Sequence, residues 1–169
     1  MRKIVLGLLI VFFTLTSCEN KITNPRIDYE KSRQIISEMI MDFFHMFEKL
    51  MYLNADDIVK DFTPSCRGYE HQKRTILNHQ ANCKEDPFIL KINYYDGVSV
   101  GYVDGSNAYD VRLKAQFVAW RWRDGFQDEV ICTHIYTCIV ENYRWWICDY
   151  KVKYETGSKA LFYMLFEVM

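Results

Sequence analysis

The sequence predicts an α+β domain in which helices come first and a meander of antiparallel strands follows. Three observations carry this. Apolar residues recur at helical spacing from about Asp28 to Leu53. The dipeptides Asp96-Gly97, Asp104-Gly105 and Asp124-Gly125, of the type that closes hairpins, punctuate the second half. Around them lie runs rich in β-branched and aromatic residues. Half of the 169 residues are apolar and 16% are aromatic, enough to bury a sizeable core in one domain.

The chain opens with Met1-Arg2-Lys3, an apolar run from Ile4 to Leu15, and Thr16-Ser17-Cys18. A short basic segment, a dozen apolar residues and a small-residue cleavage site make residues 1–18 a secretory signal sequence. The apolar run is shorter than the roughly 20 residues a membrane span needs. Leu15-Thr16-Ser17-Cys18 also fits a bacterial lipobox, with Cys18 as the lipidated first residue. The expectation is therefore a secreted, extracellular protein, with a lipoprotein as the alternative. Residues 19–27, polar and containing Pro25, read as a tether.

From Asp28 to Leu53, Ile36, Ile40, Phe43, Phe47 and Leu50 form one stripe, and Arg33, Glu38, Asp42, Glu48 and Lys49 fall mostly opposite. That is a long amphipathic helix. A short second helix is expected over Asp56–Phe62, stopped by Pro64. A third, weaker one is expected over Glu70–Gln80. Strands are predicted at 88–95, 98–103, 108–122, 128–140 and 145–154. The final segment, 156–169, is apolar and expected to pack against the domain.

If Asp124-Gly125 centres an even-length turn, positions summing to 249 oppose one another. If Asn142-Tyr143 forms the next turn, positions summing to 286 do so. Val111, Leu113, Ala115, Phe117 and Ala119 then share an apolar face with Val130, Cys132, His134, Tyr136, Cys138 and Val140. Trp146, Cys148, Tyr150, Val152 and Tyr154 join them, and this face covers the helices. The other face is expected to carry an apolar band of Trp120, Trp122, Trp145, Ile131, Ile135, Ile139 and Ile147, rimmed by Arg112, Lys114, Asp149 and Lys151. Such a band suits a homodimer through the convex sheet face. Alternatively, Ala160–Met169 folds back over it.

The net charge is −1, and loss of Arg2 and Lys3 with the leader makes it more negative. A nucleic-acid partner is not expected of such a chain. Five cysteines lie beyond the leader, so at least one stays outside any intramolecular pairing. Cys66, His71, His79 and Cys83 have no recognised zinc spacing, and export favours oxidation of thiols. The expected disulfides are Cys66–Cys83 and Cys138–Cys148, the second from the 286 register, with His71 and His79 on the surface of the third helix. No metal or cofactor is expected. Nucleophile elbows, phosphate-binding glycine loops, HExxH helices and glycosylation sequons are all absent.

One long helix, two short ones and then long curved strands resemble the cone-shaped nuclear-transport-factor-2-like fold. Asn54-Ala55-Asp56-Asp57-Ile58-Val59-Lys60-Asp61-Phe62-Thr63-Pro64 looks like that family's second helix and following turn. Cys66-Arg67-Gly68-Tyr69 and Ile76-Leu77 are similar to what small secreted nematode members carry. The resemblance covers about residues 28–155. It implies a cone whose mouth, in the enzymes of the family, holds a His, Asp and Tyr cluster for acid–base work. Here His134 and Asp61 are the candidate catalytic residues. Tyr136, Tyr150, Phe43 and Phe47 are the candidate pocket lining. From the residues alone, the preferred reading is of His134 as a core histidine bonded to a tyrosine hydroxyl and of Asp61 as a turn cap. The family includes isomerases, dehydratases and cyclases, and also silent binding modules. The function expected is that of a secreted non-catalytic domain binding a small apolar ligand or a protein partner. The alternatives are a small-molecule isomerase or dehydratase using His134 and Asp61, and a structural dimerisation module.

Overall fold

The structure, a computed structural model, describes residues 28–84, 87–94, 98–103, 108–121 and 123–166. The leader, the tether, the Asp96-Gly97 and Asp104-Gly105 turns and Trp122 lie outside them. Asp28 starts helix α1 (Tyr29–Glu48) by accepting hydrogen bonds from the Glu30 and Lys31 amides at 3.1 and 3.2 Å. Asn54 does the same for the Asp56 amide at the head of α2 (Ala55–Ile58). Both are side-chain caps for amides that a helix start leaves unpaired. Helix α3 (Arg67–Asn82) is longer than its weak periodicity suggested.

Five strands follow: β1 (Phe88–Tyr94), β2 (Ser99–Val103), β3 (Ala108–Arg121), β4 (Gln127–Glu141) and β5 (Arg144–Gly157). They form one antiparallel sheet in the order β1-β3-β4-β5, with β2 pairing the first residues of β3 and β1 the last. A final helix, α4 (Lys159–Phe166), closes the described chain.

The core lies between the helices and one sheet face. Ile36, Ile40, Phe43, Phe44 and Phe47 of α1 are buried with Val111, Leu113, Ala115 and Phe117 of β3 and Val130, Cys132, Tyr136 and Cys138 of β4. Burying each large apolar side chain contributes about 2–3 kcal/mol. The Phe43 ring meets Phe44, Phe62 and Tyr136 edge-on, an arrangement aromatic pairs favour.

Through β3 and β4 the strand faces follow the expected alternation, but the register departs from expectation in two places. Between β3 and β4 the pairing is slipped by two, with Trp120 opposite Gln127, because the turn closes on an Arg121 amide to Phe126 carbonyl bond of 2.9 Å. An even slip leaves every side chain on its predicted face. Between β4 and β5 the register runs as predicted only from Cys132↔Tyr154 to Thr137↔Asp149. The turn itself is tight, with Asn142 and Tyr143 both at positive φ, so Glu141 pairs with Arg144 and Cys138 with Ile147. The two registers are reconciled by a bulge that leaves Cys148 as the extra residue.

That bulge overturns both expected disulfides. Cys148 is bonded to Cys66 at the start of α3, with Cα atoms 5.1 Å apart, so neither Cys66–Cys83 nor Cys138–Cys148 forms. The approach of α3 to β5 is close: a Cβ on Gly68 would fall against the Cys148 carbonyl oxygen. Cys83, Cys132 and Cys138 remain buried thiols. Burial pushes Cys132 and Cys138 up to about 12, so neither is a reactive thiolate at neutral pH.

The bulge also turns Trp145 and Ile147 inward. Both are buried in the core, so they leave the convex band assigned to them. Ile131, Ile135, Ile139 and Trp120 remain half-buried on the convex side, and Trp146 joins them opposite Ile139. The Arg144 guanidinium lies 4.1 Å from the centre of the Trp146 indole. The alternative lid for this band is also corrected. Helix α4 packs on the concave side, where Phe166 meets Phe117 and His134.

Candidate functional site

Two spaces on the concave side of the sheet could serve a ligand, and α4 borders both. The first is the cone interior. Phe43, Phe44 and Phe47 from α1, Gln72 from α3, Phe117 from β3, His134 and Tyr136 from β4, Tyr150 from β5 and Phe166 from α4 surround it. The four residues expected to line a pocket, Tyr136, Tyr150, Phe43 and Phe47, are thus brought together. The space they enclose is only about 10 Å³, room for one water. The Phe166 ring centre sits 5.2 Å from that of His134 and 5.0 Å from that of Phe117.

His134 is 2% exposed, and burial pushes its pKa down to about 3. The imidazole is therefore neutral at physiological pH, and its conjugate acid is too strong for a useful proton shuttle there. Its Nδ1 lies 3.4 Å from the Tyr136 hydroxyl. Its Nε2, like the Oε1 of buried Gln72, faces the small cavity without a hydrogen-bond partner. Burial likewise raises the Tyr150 hydroxyl to about 12.

Asp61 is elsewhere. Its backbone carbonyl accepts from the Ile147 amide at 2.8 Å, and Thr63 donates to the Ile147 carbonyl at 3.1 Å. Those bonds fasten the chain after α2 to the edge of β5. The Asp61 carboxylate is held by the Arg144 guanidinium at 2.6 Å, and it is not among the residues around the cone interior. The structure therefore does not join His134 and Asp61 in one site.

The second space lies beside the cone. His79 from α3 and Cys83 just after it, Phe88 from β1, Ala119 and Arg121 from β3, Phe126 and Asp128 from the β3–β4 hairpin, and Ala160, Leu161 and Met164 from α4 surround about 390 Å³. That volume suits a small molecule, and most of the wall is apolar. His79, expected on the surface, is buried. Its Nε2 donates to the Leu165 carbonyl at 2.8 Å, fastening the end of α4 to α3. Burial lowers the His79 pKa, the bond to Leu165 opposing this, and the ring stays neutral. The Arg121 guanidinium pairs with Asp124 at 3.1 Å and lies 4.7 Å from the Phe126 ring centre. Among the described residues no cluster of His, Cys, Asp or Glu is placed to hold a metal. Likewise, no described helix is long and apolar enough to cross a membrane.

The architecture matches known structures. A candidate aromatic ring hydroxylase from Novosphingobium aromaticivorans aligns with a TM-score of 0.61 at 13% identity, over 76% of this chain and 94% of its own. A nuclear-transport-factor-2-like superfamily protein from Salmonella enterica serovar Typhimurium aligns with a TM-score of 0.51 at 12% identity, over 72% and 92%. The chain has the nuclear-transport-factor-2-like fold. No protein-family model matches the sequence, and neither does any curated protein. At these identities the likeness is one of fold alone.

Within the nuclear-transport-factor-2-like cone, then, the interior is filled by side chains, and of the two concave-side spaces the flanking one is much the larger. Sequence reasoning missed most of the flanking pocket. Cys83 was assigned to a disulfide, and Phe88, Phe126, Asp128 and Met164 were given no role. Each sits at the end of an element or in a turn, where no periodic pattern marks a residue as facing a ligand.

Proposed function

We propose that this protein is a non-catalytic binder of a small apolar ligand, and that the ligand occupies the pocket between α3, α4 and the β3–β4 hairpin. The observation that carries this reading is the apolar-walled 390 Å³ pocket set against a cone interior of 10 Å³. The sealing of His134 by Phe166, and the engagement of Asp61 by Arg144, weigh against acid–base chemistry with those two residues. Export is part of the reading: the Cys66–Cys148 bond suits an oxidising compartment, and the leader at 1–18 supplies the route.

The test uses octan-1-ol as a neutral apolar probe. At about 0.5 kcal/mol per non-hydrogen atom, titration calorimetry is expected to read a sub-millimolar dissociation constant. Ala160 is exposed on the pocket rim, so Ala160→Trp fills the space without disturbing the core. The variant is expected to lose at least tenfold in affinity while melting within about 2 °C of wild type. Wild-type affinity in Ala160→Trp, or affinity lost only in His134→Gln, overturns the proposal.

A further inference from the structure

Two charged side chains, Arg121 and Asp128, stand on the wall of the flanking pocket, and they differ in how they are engaged. Arg121, the one basic side chain on the wall, is engaged by the Asp124 carboxylate and stacked on Phe126. His79 has committed its Nε2 proton to the Leu165 carbonyl, so the remaining nitrogen of the neutral ring is an acceptor. Asp128 stands apart from these. It lies opposite Ala119 on the concave face, half-buried, and among the described residues its carboxylate accepts the neighbouring Glu129 amide, at 3.0 Å. Among the described residues no lysine, arginine or histidine forms an ion pair with it. The wall therefore offers a hydrogen-bonding anion and a neutral acceptor, with its one cation already paired. A half-buried carboxylate at the edge of an apolar wall is free to take a charge-assisted hydrogen bond from a cationic group that a ligand brings.

Resting on the pocket reading above, we propose that the ligand is an apolar molecule carrying a protonated amine, with the ammonium group bonded to Asp128 and the apolar body between Phe88, Leu161 and Met164. An ammonium supplies three donors and a full charge, which is what a carboxylate next to an apolar wall selects. Alkyl ammonium groups keep their proton at neutral pH, as lysine does. A carboxylated ligand of the same length meets like charge at Asp128 and finds Arg121 already engaged.

Octylamine, octan-1-ol and octanoate share one apolar body and differ in the head group. Calorimetric titrations at pH 7, below the concentrations at which these amphiphiles self-associate, compare them directly. Octylamine is expected to bind about tenfold more tightly than octan-1-ol, and octanoate more weakly than either. Asp128→Asn keeps the oxygen that accepts the Glu129 amide and removes the charge. It is expected to bring octylamine to the level of octan-1-ol, leaving octan-1-ol affinity within twofold and the melting temperature unchanged. A tenfold amine preference that survives in Asp128→Asn overturns the inference, as does octanoate binding as tightly as octylamine. Octan-1-ol binding without any amine preference overturns the inference and leaves the pocket reading standing. Failure of all three probes overturns both.

Discussion

The cone interior and the flanking pocket are walled by successive stretches of the same strands, yet one is full and the other open. β4 contributes His134 and Tyr136 to the first and Asp128 to the second; β3 contributes Phe117 to the first and Ala119 and Arg121 to the second. The difference is made by side-chain size and by α4. Seven aromatic rings and a histidine converge on the interior, and Phe166 fills what remains of its mouth. At the flank, Ala119 and Ala160 stand where larger side chains would meet, so the same helix becomes a wall instead of a plug. In this molecule the position of one short helix decides which end of a shared concave surface is left open.

The strongest way to break that comparison is to remove the helix. A chain ending at Ser158 loses Leu161, Phe162 and Leu165, all buried. At about 1.5–3 kcal/mol each, the loss is expected to be about 5–9 kcal/mol, and binding of an apolar probe is expected to vanish with it. A urea midpoint close to that of the full chain would show that α4 is not part of the core. Next in size is the disulfide, which closes 82 residues and anchors α3, a wall of both spaces. Replacing Cys66 and Cys148 together by serine is expected to cost about 4–5 kcal/mol in the chain-entropy account. Non-reduced peptide mapping is expected to recover the Cys66–Cys148 link and neither of the two pairings expected from spacing.

Acid sharpens the contrast, because the sealed interior holds a histidine that cannot easily be charged. The folded pKa of His134 is pushed down to about 3 from an ordinary 6.5, so between those values the unfolded chain binds the extra proton. Stability is complete above pH 6.5 and falls as the pH drops below it. From pH 6.5 to 5 the loss from this group is about 2 kcal/mol, and His79, shifted the same way, adds to it. Urea midpoints measured over this range are expected to fall less steeply in His134→Gln; identical slopes would mean that the interior admits water and charge. The smallest expected effect is at the pocket wall. Met164 is 39% exposed, so Met164→Ala is expected to change stability by no more than about 0.5 kcal/mol while weakening an apolar probe several-fold.

Much of this fold was legible in the residues. The stripe from Ile36 to Leu50 marked α1, the alternation through 108–140 marked β3 and β4 and their faces, and Asn142-Tyr143 marked the last turn. What stayed hidden has a common cause. A bulge adds one residue to a strand without any composition signal, so nothing announced that Cys148 would leave the ladder and reach Cys66, or that Trp145 and Ile147 would turn inward. The destination of α4 was equally hidden, since eight mostly apolar residues suit a concave or a convex surface alike. His134, Tyr136 and Tyr150 do lie together, but grouping side chains says nothing about the volume left between them. The flanking pocket is built from the ends of elements that meet only after folding, and its residues share no spacing that could reveal them.

The central claim is that a ligand enters beside the cone and not inside it. Nuclear magnetic resonance on methyl- and histidine-labelled protein, titrated with octan-1-ol, reads this directly. The account predicts progressive shifts of the Met164 and Leu161 methyl signals, which lie on the pocket wall, while the His134 ring signals stay within their linewidth. Shifts of the His134 ring with unmoved Met164 and Leu161 signals would place the ligand in the cone and contradict it.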